Sequence, residues 1–190
     1  MDLKKVLENR HSTRRFKKSK PVKFKEIIEV MDAARYAPSA GGLFTLKLIL
    51  VDDDDLKSKV ADACLGQSFI AEAPYVIVVC SEMDQIKRSY GKRADIYARQ
   101  QAGAAIENML LKITDLGLAS CWIGAFEDNM IKRILKIPET ANVEAILPVG
   151  YAFGKEEIKD KIELRRVVRF NDWNTSYKPS YWEPVATGNE

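Results

Sequence analysis

The sequence lacks the residues and runs that several classes of protein require. It has three cysteines, widely spaced and without a CxxC pair, and one histidine, His11. A zinc site needs clustered thiols and imidazoles, so we expect no metal, and we expect the cysteines to be reduced core thiols of a cytoplasmic protein. No run of about 18 apolar residues is present, which argues against a membrane-spanning helix. The first five residues lack the apolar stretch of a secretory signal.

Charge and motif content argue against further classes. The net charge of the 190 residues is only +3, which favours neither a nucleic acid nor a membrane surface as partner. The GxGxxG run of dinucleotide-binding folds is absent, and residues 150–155 lack the spacing of a P-loop. His11 has no GxSxG nucleophile elbow to serve, so a Ser/His/Asp hydrolase is disfavoured. The acidic run 52–55 lies between a strand and a helix, where we expect it to cap the helix rather than bind a metal.

Length and periodicity predict one domain of mixed secondary structure. A chain of 190 residues with 46% hydrophobic and 30% charged residues fits one compact domain, or one subunit whose core a partner completes. Gly117 stands where the longest helix should end in a left-handed cap. Apolar spacing predicts helices over 24–36, 56–65, 95–116 and 128–136, strands over 46–51, 75–80 and 143–149, and a candidate fourth strand over 164–170.

Two segments indicate a subunit interface. The longest helix carries Ala102-Gly103-Ala104-Ala105, small residues that let a neighbouring backbone approach closely. A helix that is apolar or small all round is buried, which favours an interface, with a central helix of a monomer as the alternative. The last twenty residues are rich in Trp and Tyr yet broken by proline, so we expect them to dock along a groove, on a partner subunit.

Four stretches are candidates for ligand binding. Arg10-His11-Ser12-Thr13-Arg14 joins cations to hydroxyls, the mixture that holds a phosphate, although basic runs are more often solvated surface. The turn 37–42 has glycines that let the backbone approach a flat or anionic group. In the stretch 116–126, Gly124 and Ala125 expose backbone amides between bulky apolar residues. A late basic cluster comprises Lys159, Lys161, Arg165 and Arg166, for which a solvated strand edge is the alternative.

In their order and spacing these stretches resemble the FMN-dependent nitroreductase family, from about Leu3 to Phe170. Gly66-Gln67 before Ala73-Pro74, Ile137-Pro138-Glu139 and Val149-Gly150-Tyr151 add to the likeness. The resemblance implies an α+β fold, with a central mixed β-sheet flanked by helices, assembled as an intertwined homodimer with FMN at the interface. Residues 1–170 would form the single FMN-binding domain, and residues 171–190 an extension docked on the dimer.

The resemblance also assigns roles to individual residues. Arg10 and Ser12 match the positions that hold the FMN phosphate, Arg14 matches one that contacts the flavin or its ribityl chain, and His11 has a supporting role. The further cofactor-binding positions are Pro38, Ser39, Ala40 and Gly42 from the other subunit, Gln67 near the pyrimidine edge, Ile123, Gly124 and Ala125 beside the flavin N5, and Lys159 and Lys161 as additional phosphate-binding cations, with Arg165 and Arg166 as the alternative pair.

The implied function is that of an FMN-dependent oxidoreductase. NAD(P)H would reduce the flavin, and a small organic acceptor (a nitro compound, a quinone or free flavin) would reoxidise it in a ping-pong cycle without an acid–base side chain. The turn departs from the family's Asn-x-Gln-Pro-Trp and continues Gly42-Leu43-Phe44-Thr45-Leu46, which implies a more apolar wall for the acceptor. The alternatives are a non-catalytic, dimeric flavin-binding or redox-sensing protein, a specialised member such as a dehalogenase or azoline dehydrogenase, and a basic RNA-binding domain.

Overall fold

The computed structural model describes residues 1–154 and 158–175. They fall into two compact units, one within Met1–Glu156 and one within Glu157–Glu190. The first unit contains a four-stranded sheet and seven of the α-helices, and the second contains one short helix among its described residues. Most of the C-terminal extension whose docking the sequence predicts, residues 176–190, lies outside the described residues.

The sheet of the first unit is built from antiparallel pairs. Its strands are β1 (Leu46–Val51), β2 (Tyr75–Glu82), β3 (Ala119–Ser120) and β4 (Ala141–Gly150), in the order β1-β2-β4-β3. β2 pairs along its length with β1 on one side and β4 on the other. An isolated parallel bridge between Ser12 and Ser120 extends the sheet beyond β3. The pairing is therefore mixed, as the sequence predicts, although the four strands themselves are antiparallel.

Helices cover both faces of this sheet. One face packs against the second and sixth helices and the other against the third, fourth and seventh. The helices are α1 (Leu3–Asn9), α2 (Phe24–Ala34), α3 (Asp54–Ala63), α4 (Phe69–Glu72), α5 (Asp84–Tyr90), α6 (Ala94–Asp115) and α7 (Asp128–Leu135) in the first unit, and α8 (Leu164–Val167) in the second.

The alternation of side chains along β2 explains why its sequence is apolar from Tyr75 to Cys80. Ile77 and Val79 face the core beside α2 and α6, whereas Val76 and Val78 face the core beside α3 and α7. All four side chains are fully buried. Because successive side chains of a strand point to opposite faces, a strand covered on both faces must be apolar at every position.

The ends of two helices carry the caps that the sequence predicts. At the start of α3, the carboxylate of Asp53 accepts a hydrogen bond of 2.8 Å from the Leu56 amide, which confirms the acidic run 52–55 as a helix cap. At the end of α6, Gly117 has φ +70°, and the amide of Leu118 donates to the carbonyl of Ile113 at 2.9 Å. This left-handed cap turns the chain directly into β3.

The predicted helices and strands of the first unit are confirmed within about two residues at most ends. The sequence patterns described above do not predict α1, α4, α5 or β3. The prediction of a strand over 164–170 is wrong, because Leu164–Val167 forms one exposed helical turn. Cys64, Cys80 and Cys121 are buried, as expected of core thiols. Within the described residues, no helix combines the length and apolarity needed to cross a membrane, and no group of three potential metal ligands is found.

Candidate functional site

The N-terminal basic segment runs in extended conformation along the edge of the sheet. Ser12 bridges Ser120 of β3, and the amide of Thr13 donates to the Ser120 carbonyl at 2.9 Å. Ser12 and Arg14 are exposed, whereas Thr13 is completely buried. Since successive side chains of an extended chain alternate, Arg10 shares its side with Ser12 and Arg14. The structure therefore separates the five residues into an outer set, Arg10, Ser12 and Arg14, and an inner set, His11 and Thr13.

His11 belongs to the inner set and is engaged with its own segment. Its Nδ1 atom lies 2.7 Å from the carbonyl oxygen of Asn9, and its Nε2 atom lies 3.4 Å from the Thr13 hydroxyl. A carbonyl only accepts, so Nδ1 carries the proton and Nε2 accepts from Thr13. Both hydrogen bonds stay within residues 9–13, so they fix the local conformation of the segment.

Arg10 is tied to the long helix α6. Its Nε atom lies 3.6 Å from a carboxylate oxygen of Glu107, and its side chain is 28% exposed. A partly exposed ion pair of this kind stabilises a fold little. Arg10 also lines a cavity of about 280 Å³, together with His11, Thr13 and Ser120.

The glycine turn after α2 requires residues without a side chain. Gly41 and Gly42 have φ values of +58° and +75°, the left-handed region that glycine adopts without strain. A Cβ atom on Gly41 would lie 2.2 Å from the hydroxyl oxygen of Tyr90, far inside van der Waals contact. The turn borders a second cavity, of about 400 Å³, which Tyr90 and Tyr97 also line.

A buried glutamine of α6 fixes the chain that follows this turn. The side-chain oxygen of Gln101 accepts from the amide of Thr45 at 3.1 Å and from its hydroxyl at 2.8 Å, and the side-chain nitrogen donates to the carbonyl of Leu43 at 3.2 Å. Gln101 and Thr45 are 3% and 2% exposed. Hydrogen bonds so well shielded from water hold the loop firmly against α6.

The stretch after β3 ends at an exposed backbone segment. Ile123 is buried and exchanges two hydrogen bonds with Ile146 of β4, of 3.0 and 3.1 Å. The chain then leaves the sheet, so that Gly124 and Ala125 are exposed beside the half-exposed ring of Trp122. Gly124 and Trp122 border a third cavity, of about 640 Å³.

The third cavity is also lined by Glu144, whose carboxyl group has a raised pKa. Burial raises the pKa of Glu144, an effect that the Ser81 hydroxyl and Arg99 oppose and that Asp128 and Asp95 increase. Its Oε1 atom is buried without a hydrogen bond of good geometry among the described residues. The neutral form of this carboxyl is thus favoured more than in a solvated glutamate.

Gln67 lines none of these three cavities, and the late basic cluster belongs to the second unit. The side-chain nitrogen of Gln67 donates to the carbonyl of Cys64 at 2.9 Å, which directs the amide to its own turn. Lys159 and Lys161 are exposed residues of the second unit. In the alternative pair, Nε of Arg165 lies 2.6 Å from a carboxylate oxygen of Glu163, and that of Arg166 lies 3.8 Å from it.

One helix connects the three cavities. Gln100 and Gln101 of α6 line the cavity at the glycine turn, Leu110 and Ile113 line the cavity at Arg10, and Gly103 lines the cavity at Gly124. The three candidate stretches of the first unit are thus arranged around α6. Three residues in these walls are not candidates from the sequence alone: Tyr90, Tyr97 and Gln101. The only signal that could indicate them is that Tyr90 and Tyr97 are aromatic and lie near the start of the longest predicted helix.

This fold, with its basic edge strand and glycine turn around one central helix, is that of a known family. The chain belongs to the nitroreductase family, whose sequence profile matches residues 7–69 and 64–151. The prediction of this family and of its α+β fold is confirmed.

Individual relatives agree with this placement. A protein of Archaeoglobus fulgidus, provisionally named as an NADH dehydrogenase/NAD(P)H nitroreductase, is 30% identical over 77% of this chain and 83% of its own. The iodotyrosine deiodinase of Thermotoga neapolitana is 25% identical over 87% of this chain and 96% of its own. The structure of an FMN-dependent nitroreductase from Clostridium difficile superposes with a TM-score of 0.76, at 28% identity, and the match covers 88% of this chain and 98% of the other.

Proposed function

We propose that the protein is an FMN-dependent oxidoreductase that takes electrons from NAD(P)H and passes them to a small organic acceptor. The observation that carries this proposal is the bridge between Ser12 and Ser120, because it aligns the basic segment, residues 10–14, with the strand that leads to Gly124. Gly124 lies four positions after Ser120, which is roughly 13 Å of extended chain. A phosphate held at Ser12 and a flat ring at Gly124 match the two ends of an extended mononucleotide.

The outer side of the edge segment has the charge for the phosphate end. A phosphate monoester carries about −1.5 to −2 charges at neutral pH and binds best to several charged donors. Arg10 and Arg14 would supply two of them, with the Ser12 hydroxyl as a neutral donor. The long pair of Arg10 with Glu107 is weak enough for a phosphate to replace it. Lys159 and Lys161 remain the proposed second pair of cations.

The ring end of the site would be completed by a second copy of the chain. In one protomer the glycine turn and Gly124 border different cavities. A site that uses both requires the turn of one protomer to reach the Gly124 segment of another, which gives two equivalent sites in a homodimer. The exposed side chains of Phe44, Ile96 and Trp122 would supply apolar surface for this contact.

The chain's own part in the reaction would be to bind, orient and shield. FMN supplies the hydride-accepting and electron-transferring chemistry when it is bound. The exposed backbone of Gly124 and Ala125 permits the close approach of a flat ring and offers amide groups to its edge. Pro38, Ser39, Ala40 and Gly42 would close the site from the partner. No side chain is assigned a proton-transfer role.

Anaerobic titration of the FMN-loaded protein with NADH and with NADPH tests this function. Bleaching of the flavin absorption by one nucleotide, followed by recovery when a quinone or nitro compound is added, is the expected result. Bleaching without recovery would favour the redox-sensing alternative. Because a relative is an iodotyrosine deiodinase, 3-iodotyrosine should be one of the acceptors tested. Release of iodide in place of quinone reduction would favour the dehalogenase alternative.

A further inference from the structure

The cavity at the glycine turn has an aromatic wall. The rings of Tyr90 and Tyr97 meet edge to face, with centroids 5.0 Å apart and planes at 89°. Both rings pack against the small core cluster of Met83, Ile86, Ala94 and Ala98. The rings are therefore held in place, and their remaining surface lines a cavity of about 400 Å³, the size of a small-molecule site.

The hydroxyl of Tyr90 lies close to the backbone of Gly41. A Cβ on Gly41 would lie 2.2 Å from the hydroxyl oxygen of Tyr90 but 3.5 Å from its Cζ atom, which is ordinary contact. The hydroxyl alone thus occupies the place of a side chain on Gly41. It limits how closely the turn can approach the C-terminal end of α5.

The other end of the loop is fixed independently. Gln101 ties Leu43 and Thr45 to α6 through three hydrogen bonds. The amide of Leu43 also donates to the carbonyl of Ala40 at 3.0 Å, which closes the turn. The turn thus lies between these hydrogen bonds on one side and the Tyr90 hydroxyl on the other.

We propose that Tyr90 and Tyr97 form the wall that binds the planar ring of the substrate, and that the Tyr90 hydroxyl sets the width of this site through Gly41. The inference rests on the proposed function, which brings the glycine turn to the flavin of the partner protomer. A flat ring entering the cavity would pack against the tyrosine rings, an interaction worth about a two- to tenfold change in affinity. Tyr97 would contact the substrate directly, and Tyr90 is in addition a positioning residue.

Steady-state kinetics with two kinds of acceptor test the wall. We expect Tyr97→Leu to raise the KM for a monocyclic quinone about two- to tenfold while FMN affinity and turnover with ferricyanide, which has no ring, stay at the wild-type level. The matched control is Tyr36→Leu, the same change at an exposed tyrosine just after the C-terminal end of α2. An unchanged quinone KM, or an equal loss with ferricyanide, would overturn the proposal. A wild-type protein that binds no FMN would overturn the proposed function itself.

A double-mutant cycle tests the positioning role of the hydroxyl. Gly41→Ala should raise the quinone KM in the wild-type background, because the new methyl group displaces the turn from Tyr90. In the Tyr90→Phe background the same substitution meets only the ring at 3.5 Å, so most of its effect on KM should disappear. The strain of alanine at a positive φ remains in both backgrounds and cancels from the comparison. Equal effects of Gly41→Ala in the two backgrounds would show that the hydroxyl does not set the width.

Discussion

The substitution Gln101→Leu should strongly destabilise the protein. Leucine has nearly the shape of glutamine but offers neither the acceptor that Thr45 uses twice nor the donor to the Leu43 carbonyl. An unsatisfied buried donor or acceptor costs about 1–3 kcal/mol. The Thr45 hydroxyl can rotate toward another acceptor, whereas the Thr45 amide and the Leu43 carbonyl cannot, so we expect a loss of about 2–4 kcal/mol in the free energy of unfolding.

Equilibrium unfolding in urea measures this loss, at one protein concentration and in excess FMN. The adjacent substitution Gln100→Leu is the control, because Gln100 is exposed and undergoes the same chemical change. It should alter the free energy of unfolding by no more than about 0.5 kcal/mol. If the two variants differ by less than about 1 kcal/mol, the three hydrogen bonds of Gln101 do not hold the loop as argued.

Three further predictions concern the core. Gly150→Ala should lower the free energy of unfolding by about 1–3 kcal/mol, measured in urea, because its Cβ would lie 2.7 Å from Cδ of Pro74. Burial raises the pKa of Glu144, a shift that destabilises the fold as pH rises; Glu144→Gln should therefore be the more stable protein at pH 7, by on the order of 1 kcal/mol, with the difference closing in acid. Burial also raises the pKa of Cys64 to about 12 and that of Cys80 to about 11. Both thiols should therefore resist a thiol reagent at pH 8 until urea unfolds the chain. The free energy of unfolding should fall as pH rises from about 9 toward 11, because in this range only the thiols of the unfolded chain ionise.

The parts of the fold that the sequence predicts are those with a strong apolar period. In α6 the buried stripe includes Ile106, Met109 and Ile113, and β2 is apolar at nearly every position. The missed helices α1 and α5 bury one residue each, Val6 and Ile86, so their sequences contain no stripe to recognise. The strand prediction for residues 164–170 is wrong for the opposite reason, because this segment has a pattern that the structure does not use. Valines favour a strand only where a neighbouring strand and a core receive them.

The candidate site is predictable in its segments but not in its arrangement. Arg10 and Ser12 stand out because their chemistry suits a phosphate, and glycine at position 41 permits the positive φ found there. The alternation that separates His11 from Ser12 depends on the bridge to Ser120, a contact between residues more than a hundred positions apart. Tyr90 and Gln101 lie in segments without a motif, and their roles come from what the fold places opposite them.

Titration of the apoprotein with FMN, followed by flavin fluorescence, shows whether the basic segment binds the cofactor. We expect saturation at one FMN per chain. Arg10→Ala should raise the dissociation constant about 10- to 100-fold, the loss of one charge-assisted contact. Arg15→Ala should leave the constant near the wild-type value, because Arg15 stacks over the ring of Phe153 with its guanidinium carbon 5.0 Å from the ring centroid. No saturable binding by the wild type, or equal weakening by both substitutions, would contradict an FMN phosphate site on the outer side of the basic edge.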